Sequence, residues 1–158
     1  AYGPSKLWPT DRYAQLADKL HDAYEATVIL SVAPVPAEIN IAESIRRQAQ
    51  SDLFHIGSTP LSGGELKALF STADLVITND TGPRHIAIGL DKNVISLFGP
   101  NNPEWTRAGH NKEIQIIGRA ECVPCDKPVC RQSRHFCMES ITVEEVFQAA
   151  QSFLKDSR

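Results

Sequence analysis

One stretch constrains this chain more than any other: Ala73-Asp74-Leu75-Val76-Ile77-Thr78-Asn79-Asp80-Thr81-Gly82-Pro83-Arg84-His85-Ile86-Ala87-Ile88-Gly89. Leu75-Val76-Ile77 is a short apolar, β-rich run, which reads as a buried strand. Asn79, Asp80 and Thr81 are each residues that cap helices. Gly82 permits a tight turn or a close approach of backbone to a ligand. Pro83 suits the first helical position, where its missing N–H costs nothing. Ile86, Ala87 and Leu90 then fall at helical spacing. The stretch therefore predicts strand, polar turn, helix. Such a turn offers free N–H groups and the positive end of a helix dipole, which suits a phosphate, and His85 adds a donor in the first turn. An ordinary capped β-α turn has the same residues, and the pattern alone leaves both readings open.

Similar runs recur along the chain. Thr27–Val32, Leu53–Ile56, Val94–Phe98 and Ile114–Ile117 read as further strands. Helices are expected from Thr10, over Glu38–Gln50, after Ser62 and after Thr142. Ser62 with Glu65, and Thr142 with Glu145, have capping-box spacing. Strands alternating with helices imply parallel β-α-β units, and continuous apolar strands suit a sheet covered on both faces. The expected fold class is α/β, a Rossmann-like doubly wound parallel sheet, with ligands beyond the carboxyl ends of the strands. Ala33–Glu38, Gly57–Ser62, Asn79–His85 and Gly99–Pro103 lie at that edge.

The 158 residues suit one domain, with no internal repeat or linker. A net charge of −3 gives no reason to expect nucleic acid. No apolar run approaches the roughly 20 residues of a membrane span. Four cysteines gathered near the C-terminus, rather than spread as a framework, favour a reducing, cytoplasmic setting. Cys122-x-x-Cys125, Cys130 and Cys137 admit three readings: free thiols, disulfides, or four thiolates on a zinc ion. Arg119, Lys127, Arg131 and Arg134 around them are either a solvated loop or a surface for an anion.

Ser5-Lys6 precedes a helix, where a lysine opposes the helix dipole unless an anion lies between them. A solvated lysine is the alternative. Trp8-Pro9 reads as a packing pair. Glu38 stands where a carboxylate can accept from a ribose diol, or simply stabilise a helix start. Leu61 is either core or the wall of a base pocket. There is no Gly-x-Gly-x-x-Gly, P-loop or Asp-x-Asp sequence, which argues against a dinucleotide dehydrogenase, an ordinary ATPase or a metal-bridged diphosphate, and no cofactor is expected.

Tyr2-Gly3-Pro4-Ser5-Lys6-Leu7-Trp8-Pro9, Thr78-Asn79-Asp80-Thr81-Gly82-Pro83-Arg84-His85 and Leu97-Phe98-Gly99-Pro100 resemble, in order, the C-terminal domain of bacterial lipopolysaccharide heptosyltransferases, glycosyltransferase family nine. Cys137-Met138 resembles heptosyltransferase II-like members. The resemblance implies the donor-binding half of an inverting GT-B enzyme, spanning residues 1–158. The donor implied is a nucleotide sugar, ADP-heptose, and the acceptor is the lipopolysaccharide inner core at the inner face of the cytoplasmic membrane. It assigns Lys6, with Ser5 beside it, to the diphosphate, and makes Lys6 the catalytic residue that stabilises the departing phosphate. Thr81, Gly82 and His85 would cradle that diphosphate. Asp80 would face sugar hydroxyls, Glu38 the ribose and Leu61 the adenine. The general base is expected in an N-terminal acceptor domain that this sequence lacks. A strand before Ala1, near the middle of the sheet, is expected to be missing too, and catalysis by this chain alone is not expected. A family member using another nucleotide sugar, and a non-catalytic nucleotide-binding module, are the alternatives.

Overall fold

The structure is a computed structural model that describes residues 3–57, 59 and 61–154. Tyr2, Ser58 and Pro60, which belong to the motif and edge loop noted above, lie outside the described residues. The chain falls into two compact units, Pro9–Leu66 and Ala1–Trp8 with Lys67–Arg158.

The Pro9–Leu66 unit is built from α1 (Thr10–Tyr24), β1 (Ile29–Leu30), α2 (Pro36–Gln48) and β2 (Phe54–His55). Ala14, Ala17, Ile45 and Leu53 form its core, with Tyr13, Val28, Leu30, Ile41 and Ala49 against them. The helical stripes of α1 and α2 thus face one another. α1 starts at Thr10, as expected, and the extended Pro9 takes the cap position. The Thr10 hydroxyl accepts from Gln48 Nε2 at 3.1 Å. α2 starts two residues earlier than expected, on Pro36, whose missing N–H is harmless there. β1 and β2 pair in parallel over only two positions, flanked by Phe54 N–H to Val28 O and Ile56 N–H to Leu30 O at 3.2 Å each. Among the described residues β1 and β2 pair only with each other, and the longer apolar runs around them are not strand.

α3 (Gly63–Thr72) carries the chain from one unit to the other. Its expected capping box is present: Ser62 N–H donates to Glu65 Oε2 at 2.7 Å and Glu65 N–H to Ser62 Oγ at 3.3 Å.

The larger unit holds a parallel sheet of order β3-β4-β5, from Leu75–Asn79, Asn93–Phe98 and Glu113–Ile117. Val94–Phe98 is wholly buried at its centre, which is why that run contains no charge. α4 (Gly82–Gly89) packs on β3 and β4, and α6 (Val143–Leu154) packs on all three strands. Val146 and Ala150 of α6 have no exposed surface, and the Thr142–Glu145 capping box starts the helix. Trp8 is buried and donates from Nε1 to Ile141 O at 3.0 Å, just beyond the short α5 (Phe136–Ser140). This is the packing role expected of it. The fold is α/β with parallel sheets, as expected. Among the described residues, however, the strands hydrogen-bond as two sheets, β1-β2 and β3-β4-β5, rather than as one.

Candidate functional site

The carboxyl ends of β3 and β4 and the start of α4 meet in the larger unit. β3 ends at Asn79, Asp80 turns the chain, and Thr81 is the N-cap of α4. Pro83 occupies the second helical position, not the first as expected, because the helix already begins at Gly82. The Thr81 hydroxyl donates back to Asn79 O at 3.3 Å and makes no cap bond to the first turn. The N–H end of α4 therefore has no side-chain cap. Gly82 is exposed there, and a Cβ built on it would meet nothing within 4 Å. His85, one turn in, is exposed. It lines a shallow recess with Lys67, Ile86, Gly89 and Leu90.

The N-terminal loop is brought to the same edge. Asn79 Nδ2 donates to Lys6 O at 2.6 Å, fixing the loop to the end of β3. Ser5 donates from N–H to Pro128 O at 3.2 Å and from its hydroxyl to Lys127 O at 2.5 Å. Gly3 sits at φ +86°, where a Cβ would collide with the Pro128 carbonyl, so the motif needs glycine twice over, for conformation and for space. These bonds leave Lys6 only 9 % exposed, with Nζ donating to Asp80 O at 2.8 Å.

Asp80 is the hub. Its Oδ1 accepts from Thr106 Oγ1 at 3.0 Å and Arg84 Nη1 at 3.3 Å; its Oδ2 accepts from Asn101 Nδ2 at 3.3 Å and lies 3.6 Å from Lys6 Nζ. Its side chain is 4 % exposed. The family resemblance implies that it faces sugar hydroxyls; in the structure it faces protein donors. Arg84, Asn101 and Thr106 have no place in what the sequence motifs imply. The Asp80–Arg84 spacing of four residues at a helix start was the available signal.

A cavity of about 190 Å³ opens beside Lys6, lined also by Asn101, Trp105, Asp126, Lys127 and Pro128. The cysteine-rich segment forms one wall because Pro100 O accepts from the N–H groups of Cys125 and Asp126, at 3.0 and 2.9 Å. Lys127 thus stands at the cavity on an exposed loop. Arg119 and Arg134 instead pair with Glu145 and Glu139. All four cysteines are free thiols, and among the described residues no three His, Cys, Asp or Glu side chains are placed to hold a metal.

Glu38 and Leu61 belong to the Pro9–Leu66 unit. The Glu38 carboxylate accepts from Ala33 N–H at 2.7 Å, closing the loop between β1 and α2. Leu61 is half-buried. The structure therefore gathers Ser5, Lys6, Asp80, Thr81 and Gly82 at one edge, with His85 a turn further along α4.

Parallel strands, with a buried lysine and an uncapped helix N-terminus at their carboxyl ends, define an α/β domain with a positive edge, an arrangement that suits an anion. The chain belongs to glycosyltransferase family 9, the heptosyltransferases, whose pattern residues 1–135 match. It is 28 % identical to lipopolysaccharide heptosyltransferase 2 of Salmonella typhimurium, over 98 % of this chain and 44 % of that protein. Its fold matches the structure of E. coli ADP-heptose LPS heptosyltransferase II with a TM-score of 0.81, at 23 % identity, over 99 % of this chain and 44 % of that one. It also matches E. coli heptosyltransferase WaaC with ADP-2-deoxy-2-fluoro heptose, with a TM-score of 0.66, at 20 % identity, over 94 % and 39 % of the two chains. The chain thus spans less than half the length of these relatives. No helix among the described residues is long and apolar enough to cross a membrane.

Proposed function

We propose that this chain binds the nucleotide-sugar donor of an inverting heptosyltransferase, with ADP-heptose as the donor and the lipopolysaccharide core as the acceptor. The observation that carries the proposal is Lys6, buried and held over the end of β3 beside the uncapped start of α4. An ammonium and a helix N-terminus at one edge suit the diphosphate of ADP. The WaaC structure carries a nucleotide sugar of this type, and the Salmonella relative is named for heptose transfer. Glu38 is assigned to the ribose and Leu61 to the adenine.

In the reaction, an acceptor hydroxyl loses its proton to a carboxylate outside this chain and attacks the anomeric carbon. The bond from that carbon to the phosphate oxygen breaks, and ADP leaves. Lys6, His85 and the N–H end of α4 take up the charge that grows on the departing phosphate. Lys6 is the catalytic residue, because its charge does most where the negative charge is growing. Ser5 ties the loop that carries Lys6 to Lys127 O and Pro128 O. Asp80 holds Lys6 through its backbone oxygen, while Thr106, Asn101 and Arg84 occupy its carboxylate.

Calorimetric titration of the intact gene product with ADP-heptose, and with GDP- and UDP-sugars, tests the reading. Preferred binding of ADP-heptose is expected. Preference for another base or sugar would leave the phosphate site standing and make this a family member with a different donor.

A further inference from the structure

Two buried charges have no contact with a ligand in that reading. Arg84 has no exposed surface, and the Glu113 side chain is 4 % exposed. The guanidinium forks onto the carboxylate, Nε to Oε1 at 2.6 Å and Nη2 to Oε2 at 3.0 Å. Glu113 also accepts from Ser96 Oγ at 2.5 Å and Gln115 Nε2 at 3.1 Å. The remaining Arg84 nitrogen, Nη1, donates to Thr106 O at 2.9 Å and to Asp80 Oδ1 at 3.3 Å. The Phe98 ring centroid lies 5.2 Å from Arg84 Cζ. Charges therefore alternate along a chain of contacts: Glu113, Arg84, Asp80, Lys6.

Apolar side chains of equal volume would often fill such a site at no cost in stability, so stability is a weak reason to bury these charges. Geometry gives a stronger one. Arg84 and Thr106 occupy the Oδ1 side of Asp80, and Asn101 bonds Oδ2. Lys6 Nζ consequently stands 3.6 Å from Oδ2, beyond hydrogen-bonding length, and bonds the backbone oxygen instead. An ammonium has three protons to give, and one closed onto a carboxylate has less to offer a phosphate.

We propose that Arg84, anchored by Glu113, is a positioning residue that holds the Asp80 carboxylate 3.6 Å from Lys6, short of a hydrogen bond, and so leaves the ammonium protons for the donor diphosphate. This rests on the assignment of Lys6 to that diphosphate. Without Arg84, Asp80 turns onto Lys6 and forms a closed ion pair. The guanidinium acts through Asp80 and touches no ligand.

The test is ADP titration calorimetry on the intact gene product, as a double-mutant cycle of Arg84 with Lys6. Arg84→Met should weaken ADP binding about tenfold in the parent and hardly at all in Lys6→Ala, because coupled residues do not add. Arg84→Lys, which keeps a cation beside Asp80 but loses the fork to Glu113, should recover part of the loss. Should Arg84→Met fail to fold, Thr106→Val removes a neutral donor from the same Oδ1. It should weaken ADP by about threefold, again only where Lys6 is present. Equal losses in both backgrounds, or no loss in the parent, would overturn the positioning role. Unchanged ADP affinity in Lys6→Ala alone would instead overturn the phosphate assignment on which it rests.

Discussion

Lys6 Nζ lies 2.8 Å from the backbone oxygen of Asp80, a residue 74 positions away, and 3.6 Å from its carboxylate. The contact is prepared from both sides. Asn79 bonds the carbonyl of Lys6, and Arg84, Thr106 and Asn101 hold the carboxylate of Asp80. Neither residue can shift without breaking bonds made by its neighbours. An ammonium fixed in this way meets an arriving phosphate with little reorganisation, which is how a preorganised charge contributes most.

Lys6→Ala should therefore weaken ADP binding by about 1.5–3 kcal/mol, the worth of a hydrogen bond to a charged group. The fold should persist, because Asp80 keeps its other three donors. Calorimetry for affinity and circular dichroism for structure check the two halves of the expectation. Parent-like affinity would remove Lys6 from the site.

Gly82 separates a binding role from a structural one. It is the first helical residue of α4, exposed, with no atom within 4 Å of the point where an added methyl group would stand. Gly82→Ala should raise stability by about 0.5–1 kcal/mol, since alanine loses less backbone freedom. The same methyl would stand where a phosphate must approach, so ADP affinity should fall. A variant that is more stable and binds ADP as tightly as the parent would show that no ligand reaches this turn.

Much of this edge was legible in the sequence, for local reasons. The strand, turn and helix from Leu75 to Gly89 follow from an apolar run, capping residues and a proline within a few positions. Both capping boxes follow from a spacing of three. The strand Val94–Phe98 announces its burial by its composition. What escaped was long-range. That Glu113 would fork onto Arg84, 29 residues away, depends on the register that sets Val94 against Glu113. That Lys127 would stand at the Lys6 cavity depends on two backbone bonds to Pro100. The start of α2 shifted by two residues because it was decided by a proline rather than by the polar residue after it.

Asp80 distinguishes a sugar contact from a support for Lys6. Asp80→Asn keeps the shape and the acceptor oxygen but removes the charge. With the carboxylate 4 % exposed and bonded by three protein donors, its loss should loosen the turn those donors hold, weakening ADP and ADP-heptose to a similar degree. Parallel titrations of the two ligands measure this. A loss confined to ADP-heptose would place the carboxylate on the sugar, as the family resemblance implies.

Acid stability gives a test independent of any ligand. Glu145 accepts from Arg119 Nη1 at 2.7 Å, from Thr142 N–H at 2.8 Å and from the Thr142 hydroxyl at 2.8 Å. The Arg119 hydrogen bond is the largest cause, and together they lower its pKa from the ordinary 4.5 to about 2. The folded state therefore binds fewer protons than the unfolded state between these values. The stabilisation is fully present above pH 4.5, shrinks as the pH falls, and is gone only below about pH 2. Because the Glu145 side chain is 37 % exposed, solvent and salt screen the pair, and the effect should diminish in high salt. Glu145→Gln retains the capping-box geometry and loses the charge. Urea midpoints of parent and variant should differ most at neutral pH, converge through the acid range and coincide only below about pH 2. A difference that stays constant with pH would mean that Glu145 caps α6 without its charge contributing.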